Sequence, residues 1–149
     1  MNAIVSRHLL TPLQVGRSYT DRFSISPEDM AGFAALSGDR SLVHGTCDFA
    51  RRLGLEGRVV YEGLLVIRLT RLIGINMPSL ANGLWGGLRM DFHHPLYVGE
   101  DATLTLAIDD LLPTSCMARL SFRVKTGCSE GEGRLVAEGG LDTLVCDGF

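Results

Sequence analysis

"GRVVYEGLLVIRLTRLIG", Gly57 to Gly74, changes character within a few residues. Val59 and Val60 are β-branched and extended by preference. From Gly63 to Ile73 the chain is apolar nearly all round a helix, and Gly74 reads as a stop. A helix that apolar is expected to be mostly buried. Arg68 and Arg71 sit three apart and share one face, where they can reach an edge, a partner subunit or an anionic ligand. The stretch is too short, and too interrupted by these arginines, to span a bilayer.

The cover for such a helix lies downstream. Leu84, Gly86, Leu88, Met90 and Phe92 alternate with Gly87, Arg89 and Asp91. "HHPLYVGED" follows as a bend with a turn at Gly99, and then Leu104, Leu106 and Ile108 alternate. Cys116, Ala118, Leu120, Phe122 and Val124 alternate with Arg119, Ser121, Arg123 and Lys125. Leu135, Ala137, Gly139, Leu141 and Thr143 close the series, after a hairpin connection "TGCSEGEGR". Three or four strands with one apolar face make an antiparallel sheet covered on one side. The expected fold is a single α+β domain over 1–149, a curved antiparallel β-sheet wrapped round one central hydrophobic α-helix.

Upstream, Tyr19 to Ile25 gives a weak strand signal. "SPEDMAGFAAL" then has a capping Ser26, Pro27 at the first helical position and acidic Glu28 and Asp29 near the dipole's positive end. That helix should stop at Ser37-Gly38. Thr46 to Gly54 reads as another short helix. Between the two lies "SGDRSLVH", which puts a carboxylate, Asp39, and an imidazole, His44, into one loop. A solvated turn commonly carries Asp and Gly without function, and a lone histidine can be a satisfied core residue. Together the two can also move protons.

The rest of the sequence narrows the partners. The chain has 149 residues and a net charge of -3, with no basic run or basic-aromatic interleaving for nucleic acid. Cys47, Cys116, Cys128 and Cys146 are scattered, without metal or redox spacing, as idle thiols of a reducing compartment would be. The start, "MNAIVSRHLLTPLQ", has too short an apolar run for a signal peptide. A soluble, cytoplasmic protein with no membrane partner is expected. His93-His94 looks like a metal pair, but adjacent strand residues face opposite ways, so a structural role is expected. Trp85 reads as packing.

"FAALSGDRSLVH", followed by "FA", "GRVVYEGLL" and "DFHHPLYVGED", resembles the hotdog-fold R-specific enoyl-CoA hydratases and MaoC-like dehydratases. Their pattern is close to Phe-Ala-x-x-Ser-Gly-Asp-x-Asn-Pro-x-His, then His-Gly-Met-Leu at the central helix, then Phe-x-x-Pro-x-x-x-Gly-Asp. Phe33, Ser37, Gly38, Asp39, His44, Gly63, Pro95 and Gly99 fall on matching positions, over roughly residues 18 to 145. The chain departs at Ser41 (family Asn), Leu42 (family Pro), Thr46 (often Asp) and Glu62 (family His).

The resemblance implies reversible hydration of a trans-2-enoyl thioester, or dehydration of the 3-hydroxyacyl form, carried on CoA or an acyl-carrier protein. It implies a homodimer and no cofactor or metal. Asp39 and His44 would be catalytic, holding one water and serving both C3 and C2. Gly63, at the helix start, would offer a backbone N–H to the developing enolate and let the ligand approach closely. Ser41 and Glu62 complete the candidate substrate-binding set. Glu62 is expected either to face a basic partner, with Arg58 nearby, or to read a hydroxyl or amine absent from simple fatty acyl chains. Two other readings stay open: a hotdog thioesterase using Glu62, and a non-catalytic acyl-thioester binding module. The departures also suit a dehydratase of specialised biosynthesis, such as polyketide assembly.

Overall fold

Ser26 starts the first helix by a reciprocal bond pair. Its hydroxyl accepts from Asp29 N–H at 3.1 Å, and the Asp29 carboxylate accepts from Ser26 N–H at 2.9 Å. The computed structural model describes residues 13–77, 80, 83–127 and 133–144, and within them helix α1 is Pro27–Ser37. A short turn of helix α2, Leu42–Gly45, and helix α3, Cys47–Arg52, follow. The long helix α4 spans Glu62–Asn76. The strands are β1 Ser18–Phe23, β2 Leu84–Phe92, β3 Ala102–Leu112, β4 Met117–Thr126 and β5 Leu135–Leu144. Cys128, Cys146 and most of the "TGCSEGEGR" connection lie outside the described residues, as does most of the N-terminal stretch.

All strand pairs are antiparallel, in one five-stranded sheet of order β1-β3-β4-β5-β2. The apolar faces of β3, β4 and β5 meet α4. Leu65, Leu69 and Leu72 of the helix share one core with Leu104, Leu106, Leu120 and Leu141 of the sheet. Burying each such side chain contributes roughly 1.5–3 kcal/mol, so this contact is the main source of stability. Arg68 is structural: it pairs with Asp21 at 2.9 Å and lies 4.7 Å over the Phe23 ring, clamping the helix to β1.

Three expectations need correction. The helix does not stop at Gly74 but runs to Asn76, since a single glycine lowers helix stability without ending it. Nor is it mostly buried: Leu64, Leu65, Leu69, Leu72 and Ile73 are buried, while Ile67 is 45% and Ile75 59% exposed. Of the alternating apolar set of β2, Met90 packs against the core but the other large side chains do not. Leu84, Leu88 and Phe92 are exposed, because β2 is an edge strand and its register shifts between Trp85 and Gly87.

Candidate active site

Helix α1 ends on Gly38 in the left-handed region, φ 75°, its N–H bonded to Ala34 O at 3.0 Å. The chain then coils tightly. Asp39 N–H donates to Ser37 Oγ at 3.1 Å. Asp39 Oδ1 accepts from both Ser41 N–H, at 2.8 Å, and Ser41 Oγ, at 2.6 Å. The Ser41 hydroxyl, then its amide, hold the Asp39 carboxyl below the usual carboxylate range; partial burial opposes this and His44 adds to it. Ser41, expected among the substrate-binding groups, thus spends its hydroxyl on Asp39.

His44 is buried in α2. Its Nδ1 lies 2.9 Å from Val59 O, and a carbonyl can only accept, so Nδ1 carries the hydrogen and Nε2 is left for chemistry. Val59 N–H returns a bond to Val43 O at 3.2 Å, and Arg58 Nε donates to His44 O at 3.0 Å. The extended segment before α4 therefore braces the loop at three points. Arg58 is occupied there. The charged contact of Glu62 among the described residues is His44, with Oε2 3.9 Å from Nε2.

Tyr61 ties the pieces together, and sequence reasoning missed it. Its hydroxyl donates to Asp39 O at 3.0 Å, and its ring lies 4.2 Å from that of His44 and 4.8 Å from that of Phe33. A tyrosine just before a buried helix was the available signal, since a buried phenol seeks a partner.

Gly63 also has a steric reason within the protein itself. A Cβ there would stand 2.5 Å from Phe33 Cζ, so the glycine admits the Phe33 ring. Its amide still belongs to the first turn of α4, where N–H groups lack intrahelical acceptors. Tyr61 supplies no side-chain cap, and Leu64 N–H already bonds Tyr61 O at 2.9 Å. The amides of Glu62 and Gly63 remain at the helix's positive end.

His44 and Glu62 open on a cavity of about 340 Å³, walled by apolar residues including Val60, Leu65, Phe92 and Leu96. Asp39, Ser41 and Gly63 are not among the residues that line it. Its other polar groups are His93 and His94. Strand β2 has ended at Phe92, so they are not an adjacent strand pair, and each side chain has its own partner. His94 Nδ1 bonds Leu135 O at 2.8 Å and His93 Nε2 lies 3.4 Å from Glu138. A larger depression, about 690 Å³, lies on the opposite face of the sheet. Its charges are already paired, Arg123 with Glu138 at 3.1 Å and Arg89 with Asp91 at 3.0 Å.

No family model matches the chain. Individual relatives do. It is 24% identical over 115 residues to a 3-hydroxybutyryl-CoA dehydratase of Methylorubrum extorquens, covering 77% of this chain and 73% of that one. It is 27% identical over 114 residues to the (R)-specific enoyl-CoA hydratase of Aeromonas caviae, covering 76% and 84%. A mitochondrial 3-hydroxyacyl-[acyl-carrier-protein] dehydratase of Arabidopsis thaliana is 25% identical over 135 residues, covering 91% and 78%. Among solved structures, the (R)-hydratase from A. caviae involved in PHA biosynthesis superposes with a TM-score of 0.81 at 26% identity, over 91% of this chain and 99% of that one. In sequence this chain is similar to R-specific enoyl-CoA hydratases and 3-hydroxyacyl-thioester dehydratases, and in architecture it is a single hotdog fold.

Proposed function

We propose that the protein adds water to a trans-2-enoyl thioester, and removes it from the 3-hydroxyacyl form, with Asp39 and His44 as the proton-handling pair. The observation that carries the reading is the fixed tautomer of His44: a buried imidazole whose Nδ1–H is held by Val59 O and whose Nε2 meets a largely apolar cavity. In the hydration direction Nε2 takes one proton from a water whose oxygen bonds C3. Asp39, held ionised by Ser41, accepts the water's other hydrogen and opposes the imidazolium charge. The π pair moves onto the thioester oxygen, towards the free amides of Glu62 and Gly63. The imidazolium then returns its proton to C2. Ser41 contributes through Asp39.

The thioester handle is CoA or the pantetheine of a carrier protein, as in the relatives. The active form is a homodimer, for which the exposed Leu84, Leu88 and Phe92 on edge strand β2 give a surface. The replaced positions Ser41, Leu42 and Glu62 suit a specialised biosynthetic substrate. One observation favours a second reading, thioester hydrolysis: Glu62 opens on the cavity beside His44. Loss of enoyl absorbance on adding purified protein to but-2-enoyl-CoA, with a thiol-reactive dye in a parallel cuvette, separates the two. Hydration bleaches the first without colouring the second; thiol release with no hydration would overturn the proposal.

A further inference from the structure

The site holds one hydrogen-bond acceptor too many for the water alone. In the hydratase reading, on which this inference rests, Asp39 and His44 Nε2 accept the two hydrogens of the reacting water. Glu62 Oε2 stands 3.9 Å from the same Nε2, too far for a direct hydrogen bond. Arg58, the expected basic partner, donates instead to His44 O. The Glu62 side chain is 55% exposed, so water solvates it while the cavity is open. A bound acyl chain of plain methylenes would displace that water and offer nothing in return, and a carboxylate stripped of donors is costly. We propose that Glu62 is a specificity-determining residue, and that the preferred acyl group carries a hydroxyl or amine on C4 or C5.

The position follows from the distance. His44 Nε2 serves C2 directly and C3 through one water, so a carboxylate 3.9 Å from Nε2 lies near these carbons, and the nearby acyl positions that can carry a donor without replacing a reacting group are C4 and C5. The remaining cavity wall is largely apolar, which leaves the end of the chain unread. A site that supplies an acceptor for a substrate donor rejects the analogue lacking it more strongly than an apolar pocket rejects an extra hydroxyl.

Hydration of but-2-enoyl-CoA, 4-hydroxybut-2-enoyl-CoA and 5-hydroxypent-2-enoyl-CoA by wild type, Glu62→Gln and Glu62→Leu tests this. Thermal melts establish that each variant is folded. Wild type should favour one hydroxylated substrate by at least about tenfold in kcat/KM. Glu62→Leu should abolish that preference and raise the rate on but-2-enoyl-CoA, while Glu62→Gln, which keeps an acceptor oxygen, should retain part of it. Equal kcat/KM for all three substrates in wild type would overturn the inference and leave the hydratase reading standing. So would an equal loss on every substrate in both variants, which would make Glu62 catalytic. Failure of wild type to hydrate any of the three would overturn the hydratase reading itself.

Discussion

Ser41 donates its amide and its hydroxyl to one oxygen of Asp39, so the ionisation of the carboxylate depends on a residue two positions away. The folded-state pKa is depressed, so the carboxylate contributes stability above its ordinary value, roughly 3.9, and loses it as pH falls through the lower folded value. Ser41→Ala should therefore raise the Asp39 titration midpoint, read by carboxyl NMR. It should lower stability near neutral pH, with the difference from wild type vanishing in strong acid. An unchanged midpoint would remove Ser41 from the account. Asp39→Asn and His44→Ala should each cost about 100-fold or more in hydration rate, and the double variant little more than the worse single. His44→Ala also leaves Val59 O without its donor, at a cost of about 1–3 kcal/mol, so its melt should fall too. The spacing of Asp39 and His44 was legible because both lie in one short loop. Tyr61 was not, because its partners Asp39 and Phe33 are distant in sequence and only the folded chain brings them to one ring.

Helix α4 was readable as an element from its composition, but its two faces were not. A run apolar all round does not say which side meets the sheet, and Ile67 and Ile75 turned out exposed. At its start, Gly63 is tied to Phe33 rather than to open space. Gly63→Ala gains helix propensity of up to about 1 kcal/mol but forces the Phe33 ring aside, an overpacking cost of about 1–3 kcal/mol. The net expectation is a melting temperature a few degrees lower, because the Phe33 ring is also packed against that of Tyr61. Adding Phe33→Leu should recover part of the loss, and a double-mutant cycle measures how much. Additive effects would mean that the two residues do not meet as described.

At the scale of the whole molecule, the sequence announced an antiparallel sheet around a helix but not the strand order, since β2 follows α4 in the chain yet pairs with the last strand, β5. That order leaves β2 as an edge carrying exposed Leu84, Leu88 and Phe92, the same residues whose alternation suggested a core face. An apolar edge strand of this kind invites pairing with another strand. Leu88→Lys should shift sedimentation from dimer towards monomer and lower activity with it. A wild-type chain that sediments as a monomer at micromolar concentration with full activity would remove the dimer from the proposal.

Hydration is tested most directly by following oxygen. Purified protein is given but-2-enoyl-CoA or its 4-hydroxy derivative in water enriched in the heavy oxygen isotope, and the products are weighed by mass spectrometry. The expected product is an intact 3-hydroxyacyl-CoA with one labelled oxygen, formed by wild type and not by His44→Ala or Asp39→Asn. Free CoA with a labelled carboxylate, or labelled 3-hydroxyacyl-CoA formed equally well by His44→Ala, would contradict the assignment.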